Sequence, residues 1–372
     1  MTTRREFLHA SALGITGGVL ATPAAAAPAI ADQPDAASRG AIIDCHAHWM
    51  GPRVVQLAKE RGFAAREGGV YDMEYRLQLM DEAGVQRQVV SYVRAAYDGV
   101  LAPDEARPLW RAQNDDTAAL VRKYPTRYSG LATLPTANVA WAADELRRAH
   151  EELGLIGATL PLDAFTSLAG ARALSPIFDM AQRLRSYIYV HRGPASPDIP
   201  GQHPEVGPTN EYFGLPSSSA TDFRVLSTNG DNQGARLHLI TATHLAAGAI
   251  TLALTEFLDD YPDVAVQLTM MGGTIGWVAE WMQRIAEESG RPIPAERFRR
   301  IYLDCGARAR YPRGVAMGAK VFGIDRILFG TDLGAVGAIL PTIGFVNEAT
   351  LTPQEKNRIF VENARELLAG RI

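Results

Sequence analysis

The sequence predicts a (β/α)₈ barrel, and three observations support this prediction. Eight short apolar runs alternate with eight segments of helical periodicity. The runs are nearly continuous in apolar residues, as expected of parallel strands that are buried on both faces. Metal-capable side chains follow several of the runs, at the strand ends where such barrels hold their functional groups. The competing arrangement is an open doubly wound sheet, which the strand count disfavours.

The first 39 residues are predicted to lie outside this fold. Arg4-Arg5-Glu6-Phe7-Leu8 precedes a weakly apolar stretch over residues 10–20, and the run from Ala24 to Ala31 offers Ala-x-Ala cleavage sites. Twin arginines in this setting are typical of a Tat export signal, although an ordinary secretory signal or a disordered tail has a similar composition. We therefore assign residues 1–39 to a signal and linker and residues 40–372 to the barrel, and we expect a bacterial periplasmic protein.

Composition excludes several other classes of protein. The chain has 372 residues, a net charge of -4 and a pI near 6.1, which give no reason to expect nucleic-acid binding. No later segment is long and apolar enough to span a bilayer. Cys45 and Cys305 fall in the first and seventh predicted strands, which lie two places apart, roughly 9–10 Å at the usual strand spacing. That distance is too long for a disulfide, so we expect two free, buried thiols.

The predicted elements follow one another regularly except in one region. The predicted strands are 42–49, 88–92, 128–134, 157–160, 187–191, 264–270, 301–304 and 327–330. The predicted helices are 73–83, 106–123, 138–153, 174–185, 231–260, 273–288 and 312–321, and one or two helices are predicted over 352–369. Residues 192–229, after the fifth strand, contain many prolines and little periodicity, and so long a loop is usually functional or disordered. Trp277 and Trp281, four residues apart, predict packing by one face of their helix.

Four side chains form a candidate metal site. His46 and His48 are two apart in the first strand, so they point to the same side of it. His191 ends the fifth strand, and Asp332 follows the eighth. Together they suit one divalent ion of the zinc type with a position left for water, whose pKa zinc lowers to about 7. Singly, His191 is also explained as a core histidine, and Asp332 as a residue that caps the following turn.

The sequence resembles the amidohydrolase superfamily, in the branch of aminocarboxymuconate-semialdehyde decarboxylase. The resemblance covers about residues 41–368 and rests on IIDCHAHW, RLQLMDEAGVQRQVVS, QNDDTAALVRKYPTRYSGLATLP, YIYVH, EFLDDYPDVAVQL before a Gly-Gly pair, and DRILFGTD. It implies a mononuclear zinc site made by His46, His48, His191 and Asp332. It also implies non-oxidative decarboxylation of a small unsaturated or aromatic carboxylic acid, and a homodimer.

Two positions depart from the family's pattern. Met270 stands where the family has the histidine of His-x-Gly-Gly, which acts as an acid/base beside the metal, and methionine cannot transfer a proton. Gly334 stands where the family's GTD-x-Pro has proline. The metal ligands of the pattern are therefore present, whereas its usual proton shuttle is not.

Three hypotheses account for the missing histidine. Asp332 can carry out all the proton transfer, as a lone carboxylate with a raised pKa can. Alternatively His238 or His244, near the start of the long helix, turns into the barrel mouth as the catalytic group. They are six apart and do not share a helical face, so at most one points inward, and each is also explained as a surface or core histidine. In the third hypothesis the protein binds metal and ligand but turns over poorly.

Weaker candidates surround the predicted site. Arg192, with Arg224 or Arg236, can pair a substrate carboxylate through a bidentate fork, although the chain has many surface arginines. Trp49 can form an apolar wall for the substrate or belong to the core, and His203 is expected to be exposed. Hydrolysis of an amide, ester or lactone is the second functional hypothesis, because the same metal-activated water serves it. A periplasmic binding protein that reuses the barrel is the non-enzymatic hypothesis.

Overall fold

Eight parallel strands form one sheet in which each strand pairs with the next in the chain. The computed structural model describes residues 41–60, 68–92, 103–201, 233–306, 311–335 and 337–371. The strands are β1 (Ile42–Trp49), β2 (Val85–Tyr92), β3 (Tyr128–Thr133), β4 (Gly157–Pro161), β5 (Tyr187–His191), β6 (Ala265–Leu268), β7 (Tyr302–Asp304) and β8 (Ile327–Leu328). The Cys45 amide donates to the Phe329 carbonyl at 2.8 Å and Ala47 bridges Leu333, which closes the sheet. The predicted (β/α)₈ barrel is confirmed.

Helices alternate with the strands along the chain. They are α1 (Pro52–Glu60), α2 (Met73–Ala83), α3 (Pro103–Lys123), α4 (Val139–Glu151), α5 (Leu168–Ala173), α6 (Ser175–Leu184), α7 (Gln233–Ala249), α8 (Ile275–Glu288), α9 (Ala295–Phe298), α10 (Pro312–Phe322), α11 (Ile339–Glu348), α12 (Pro353–Asn357) and α13 (Asn363–Leu368). Helix α2 ends as predicted at Gly84, whose φ of 73° provides the left-handed cap that glycine adopts without strain. Among the described helices, none has the length and apolar character needed to cross a bilayer.

Several predicted elements are shorter in the structure, and for two of them the backbone shows where the predicted element is interrupted. The sixth strand ends at Leu268 because Met270 and Met271 take left-handed φ values of 56° and 55°, which a strand cannot continue through. The predicted helix 231–260 is interrupted: α7 ends at Ala249 and gives way to a π-helical turn, Ile250–Leu254, and a 3₁₀ turn, Phe257–Asp260. The predicted signal, residues 1–39, and most of the loop 192–229 lie outside the described residues.

The two tryptophans of α8 are exposed, so their predicted packing role is wrong. Trp277 is 71% exposed and Trp281 is 64% exposed, because α8 instead packs through the buried Ile275 and Ala279 on its other face. Ile285 extends the exposed row. The prediction of free, buried cysteines is confirmed at positions 45 and 305.

The first strand is fixed in place by a buried arginine. Arg76 of α2 donates from Nη1 to the His48 carbonyl and from Nε to Gln88 Oε1, both at 2.7 Å. Gln88 in turn donates to Asp44 Oδ2 at 2.7 Å. These bonds join α2, β1 and β2 beneath the pair of strand-one histidines, so the backbone that carries the pair is held from both sides.

Candidate metal centre

Four buried side chains meet at the carboxyl ends of the strands. His46 and His48 come from β1, His191 from the end of β5, and Asp332 from the turn after β8. One ligand atom from each lies within 4.8 Å of all the others. The structure thus brings together all four of the residues that the sequence nominates as metal ligands.

The distances between these atoms match those of ligands around one ion. His46 Nε2 lies 3.1 Å from His48 Nε2, and Asp332 Oδ1 lies 3.3 Å and 3.0 Å from these two nitrogens. The His191 ring lies edge-on to both, with centroids 4.6 Å from His48 and 5.2 Å from His46. Two atoms that each lie about 2.0–2.2 Å from a common cation are themselves about 3 Å apart. This geometry forms a site for one divalent metal ion.

Unpaired polar atoms give an independent test of that fit. Among the described residues, Asp332 Oδ1 and His191 Nδ1 are buried without a hydrogen-bond partner. A buried polar atom without a partner costs about 1–3 kcal/mol, so native proteins seldom leave one unexplained. A cation coordinated by the cluster would satisfy the Asp332 oxygen, and three imidazoles with one carboxylate are the donor set that zinc-type ions prefer.

The ring of His46 is oriented by a carboxylate behind it. Its Nδ1 donates to Asp304 Oδ1 at 2.9 Å, which directs Nε2 into the cluster. Asp304 also accepts from Gln267 Nε2 at 2.6 Å, from the Gly306 amide at 2.8 Å and from the Met270 amide at 3.2 Å. With four donors around it, the Asp304 carboxylate is fixed in orientation, and it holds the His46 ring with Nε2 directed into the cluster.

The other strand-one histidine has a similar partner. His48 Nδ1 lies 3.0 Å from Ser91 Oγ of β2. When Nδ1 donates this bond, Nε2 keeps its lone pair for a metal ion. Both histidines of the pair therefore present the same nitrogen to the common point.

Asp44 couples the strand-one histidines to the turn that carries Asp332. It accepts from the Thr331 amide at 3.0 Å, from Thr331 Oγ1 at 2.7 Å and from the His46 amide at 3.1 Å. The Asp332 amide donates to the His46 carbonyl at 2.7 Å, and Asp332 has a left-handed φ of 58°. The carboxylate thus reaches the cluster from a left-handed turn, a conformation that Asp tolerates, and bonds to β1 hold this turn in place.

Without a metal, the cluster carries opposite charges on neighbouring groups. Burial lowers the pKa of His46, but the charges of Asp304 and Asp332 outweigh it and raise this pKa to about 10. Burial lowers the pKa of His48, and burial with the neighbouring imidazoles lowers that of His191 well below its usual value. Burial alone would raise the pKa of Asp332, but His46 and His48 hold it well below its ordinary range. Two neutral imidazoles, one imidazolium and one carboxylate result.

Of the two further histidines proposed from sequence, His244 lies outside the ligand cluster. His244 of α7 places Nδ1 3.6 Å from Asp163 Oδ1, in the turn after β4. His238 also belongs to α7, but its side chain lies outside the described residues. Asp332 is therefore the only one of the three proposed catalytic residues that the described structure places in the cluster.

The residues proposed to contact substrate have different settings. Arg192 directly follows His191, and its side chain is exposed. Trp49 is buried in the main hydrophobic core, so packing accounts for its position. The described side chains do not include Arg224, Arg236 or His203.

Sequence reasoning missed the residues that support the ligands. Asp304, Asp44 and Ser91 were not singled out as part of the site. Asp304 did carry a usable signal, because it is the last residue of a barrel strand, where functional side chains collect. The role of Asp44 could not be read from the sequence, since it depends on contact with Thr331, which is distant along the chain.

A (β/α)₈ barrel with three imidazoles and a carboxylate converging at its strand ends defines a mononuclear metalloprotein. The sequence profile described as "Amidohydrolase" matches residues 43–369. The chain belongs to this amidohydrolase family.

Relatives of known activity match parts of the chain. A gamma-resorcylate decarboxylase from Polaromonas sp. is 36% identical over 107 residues, which are 29% of this chain and 32% of that protein. The 2-amino-3-carboxymuconate-6-semialdehyde decarboxylase of Dictyostelium discoideum is 29% identical over 129 residues, 35% of this chain and 36% of that protein. The matched segments thus span about a third of these relatives' lengths.

Solved structures extend the likeness to nearly the whole chain. A 2,6-dihydroxybenzoate decarboxylase from Rhizobium has a TM-score of 0.65 at 20% identity, covering 88% of this chain and 98% of that one. A 5-carboxyvanillate decarboxylase from Novosphingobium aromaticivorans, with bound manganese, has a TM-score of 0.65 at 18% identity, covering 91% and 100%. At these identities the likeness shows the shared fold.

Proposed function

We propose that the protein is a metal-dependent decarboxylase of a small aromatic or unsaturated carboxylic acid. The observation that carries the proposal is the convergence of His46, His48, His191 and Asp332 on one point at the strand ends. The activities named for the matched relatives support the choice of decarboxylation. The substrate that binds at the carboxyl ends of the strands would therefore be a small carboxylate.

The residues of the cluster have distinct tasks in this proposal. The bound ion supplies a Lewis acid that binds and polarises oxygen atoms of the substrate. Asp332 would hold the ion through its carboxylate, and its lowered pKa opposes the proton transfer by a raised-pKa Asp332 that the sequence suggested. Arg192 is the cation nearest along the chain to a ligand, and its side chain is exposed. Its guanidinium is thus available to pair with the substrate carboxylate.

Zinc is our proposal for the ion, because three imidazoles and one carboxylate suit it best. The related structure with bound manganese makes Mn²⁺ the main competitor. Elemental analysis of protein purified without added metal distinguishes the two. One equivalent of zinc per chain supports the proposal, whereas manganese alone would contradict this part of it.

Hydrolysis of an amide, ester or lactone is the second candidate, and Met270 is the observation that favours it. The backbone amide of Met270 donates a hydrogen bond to Asp304 Oδ1 beside the cluster, but its side chain has no ionisable group. The decarboxylase pattern therefore lacks its usual shuttle, whereas the hydrolytic chemistry that a bound ion would supply does not depend on that histidine. A binding protein with little turnover is the remaining possibility.

The decisive experiment is a turnover assay of the metal-loaded protein. Hydroxylated benzoates and unsaturated dicarboxylates are tested for CO₂ release, and amides, esters and lactones for amine or alcohol release. The His191→Ala variant, assayed at the same concentration, is the control for metal-independent background. CO₂ release by the wild type alone supports the decarboxylase. Release of amine or alcohol without CO₂ would establish the hydrolase instead, and ligand binding without turnover would favour the binding protein.

We propose export through the Tat route to the periplasm, because twin arginines open the chain. Fractionation of cells that express the full chain tests this. The Arg4→Lys/Arg5→Lys variant should remain in the cytoplasm, and equal periplasmic yield of both proteins would contradict Tat export.

We also propose a homodimer that buries the exposed row of Trp277, Trp281 and Ile285 on α8. An apolar row of this size facing water is typical of an interaction surface. Sedimentation should give a dimer for the wild type. The Trp277→Glu/Trp281→Glu variant should be monomeric, and a monomeric wild type would contradict the proposal.

A further inference from the structure

A second group of ionisable side chains lies next to the metal centre. His244 of α7 points Nδ1 at Asp163 Oδ1, 3.6 Å away. Both side chains are largely buried, with exposed fractions of 12% and 16%. His244 Nε2 is buried and has no hydrogen-bond partner among the described residues. A carboxylate on one ring nitrogen and a free second nitrogen are the arrangement of a histidine acid/base.

The backbone places this pair on the same rim as the metal ligands. Pro161, the last residue of β4, pairs in register with His191 of β5. Asp163 follows two residues later, and its amide donates to the carbonyl of Gly193 at 3.2 Å. The pair therefore stands one strand end away from the third imidazole ligand.

Helix α7, which carries His244, is bonded to the segment that follows the sixth strand. The Thr274 amide, just beyond the strand-six turn, donates to the Ala242 carbonyl of α7 at 3.1 Å. His244 is thus two residues from a bond that ties α7 to the segment where Met270 replaces the expected histidine. The carboxylates of Asp163 and Asp332 both interact electrostatically with Arg192.

We infer that His244 is the proton donor of the decarboxylation, with Asp163 as its positioning residue; this rests on the proposed function. The reaction consumes one proton per turnover, since a carboxylate and a proton become a C–H bond and CO₂. The His244 imidazolium gives its Nε2 proton to the carbon atom that bears the carboxylate group. This carbon forms the new C–H bond with an electron pair of the unsaturated system. The C–C bond then breaks, its electron pair restores the unsaturation, and CO₂ leaves. Water returns a proton to the neutral imidazole.

Among the described residues, the ion-pair partner of His244 is Asp163. Helix α8 also packs beside α7 and carries Glu280, Arg284, Glu287 and Glu288, whereas residues 265–279 and the π-helical turn 250–254 contain no ionisable side chain. Asp163 lies within ion-pair distance of the imidazole, and its carboxylate interacts electrostatically with Arg192. A purely structural histidine would be expected to use both ring nitrogens, whereas this one leaves Nε2 open.

The test compares the His244→Asn and Asp163→Asn variants with the wild-type holoenzyme. We expect His244→Asn to lower kcat at least 100-fold with little change in KM and no loss of metal, since general acid catalysis contributes about 10²–10⁴-fold. The kcat–pH profile should lose one ionisation, and added imidazole should restore part of the rate. Asp163→Asn should lower kcat about 10-fold without removing that ionisation. The matched control is His150→Asn, which should remain fully active. His150 belongs to α4 and forms a hydrogen bond with Ser186.

The outcomes separate this inference from the proposed function. If the wild type releases CO₂ and His244→Asn keeps kcat within twofold with an unchanged pH profile, the inference is wrong and the decarboxylase stands. A fall in kcat that imidazole cannot restore, accompanied by loss of metal or of circular dichroism, would assign His244 a structural role and also overturn the inference. A metal-loaded wild type that releases no CO₂ from any acid overturns both.

Discussion

His46 Nδ1 lies 2.9 Å from Asp304 Oδ1, and this bond between β1 and β7 crosses the inside of the barrel. It joins a predicted ligand to a residue that was not predicted to belong to the site. A carboxylate behind a ligating histidine fixes the tautomer of the ring and makes its second nitrogen a stronger base. Asp304 is thus part of the metal centre without touching the ion.

Replacing this carboxylate should weaken metal binding without removing a ligand. We expect Asp304→Asn to lower metal affinity about 10–100-fold, the usual cost of losing such a partner. Competition with a chromogenic chelator measures the affinity. Glu145→Gln, at a buried carboxylate bonded to Arg148 away from the site, is the control for general destabilisation. Equal affinities for Asp304→Asn and the wild type would show that the bond does not support the centre.

Removing the ligand from β5 should have a larger effect. His191→Ala should lose most of its metal, because one of the four donors disappears. His150→Ala, which deletes a histidine on α4, should keep full occupancy. Elemental analysis of both variants gives the answer, and full metal in His191→Ala would exclude β5 from the site.

Metal binding should release a proton at neutral pH. The pKa of His46 is about 10 in the metal-free cluster, whereas a ligating imidazole must be neutral. About one proton should therefore leave His46 at pH 7.5, and metal affinity should rise as pH increases toward 10. The raised pKa of His46 also makes the stability of the metal-free protein depend on pH. The protonated His46 stabilises the folded state fully at pH values below 6.5, the pKa of an unperturbed histidine, and this stabilisation is lost as pH rises through about 10.

Calorimetric titration in buffers of different ionisation enthalpy counts the released protons. A binding enthalpy that is the same in all buffers would contradict the assignment of a protonated His46.

Restoring the missing histidine should preserve the fold. Met270 contributes its amide to Asp304, and a side-chain change leaves that bond in place. We expect Met270→His to unfold within a few degrees of the wild type and to raise kcat with small carboxylates. Met270→Gln, a polar residue without an acid/base group, is the control. Unchanged turnover in Met270→His would mean that another group already supplies the proton.

The second departure from the family's pattern has a conformational cause. Gly334 has a φ of 91°, and a β-carbon there would collide with the His48 carbonyl oxygen. Proline is confined to φ near -65°, so Gly334→Pro should destabilise the protein by more than about 1 kcal/mol. A fall of several degrees in the melting temperature, with partial loss of metal, is expected. A melting temperature equal to that of the wild type would show that this turn can rearrange freely.

The sequence predicted most of what depends on local pattern. Strand periodicity placed His46, His48 and His191 at strand ends, and the structure agrees. It did not predict helix α11 (Ile339–Glu348), where Pro341 in the first turn and a largely apolar composition hide the helical period. Nor did it predict the left-handed Met270 and Met271, because such backbone is held by contacts from other strands rather than by residue preference.

The backbone of Asp332 restricts how this centre could be re-engineered. At a φ of 58°, only Asp, Asn and Gly are accommodated readily, so a glutamate or histidine introduced there would bring backbone strain along with its new donor atom. Attempts to select a softer or redox-active ion should therefore alter the strand-borne histidines and leave the aspartate unchanged. Exchange to asparagine alone would remove the charge while keeping the turn.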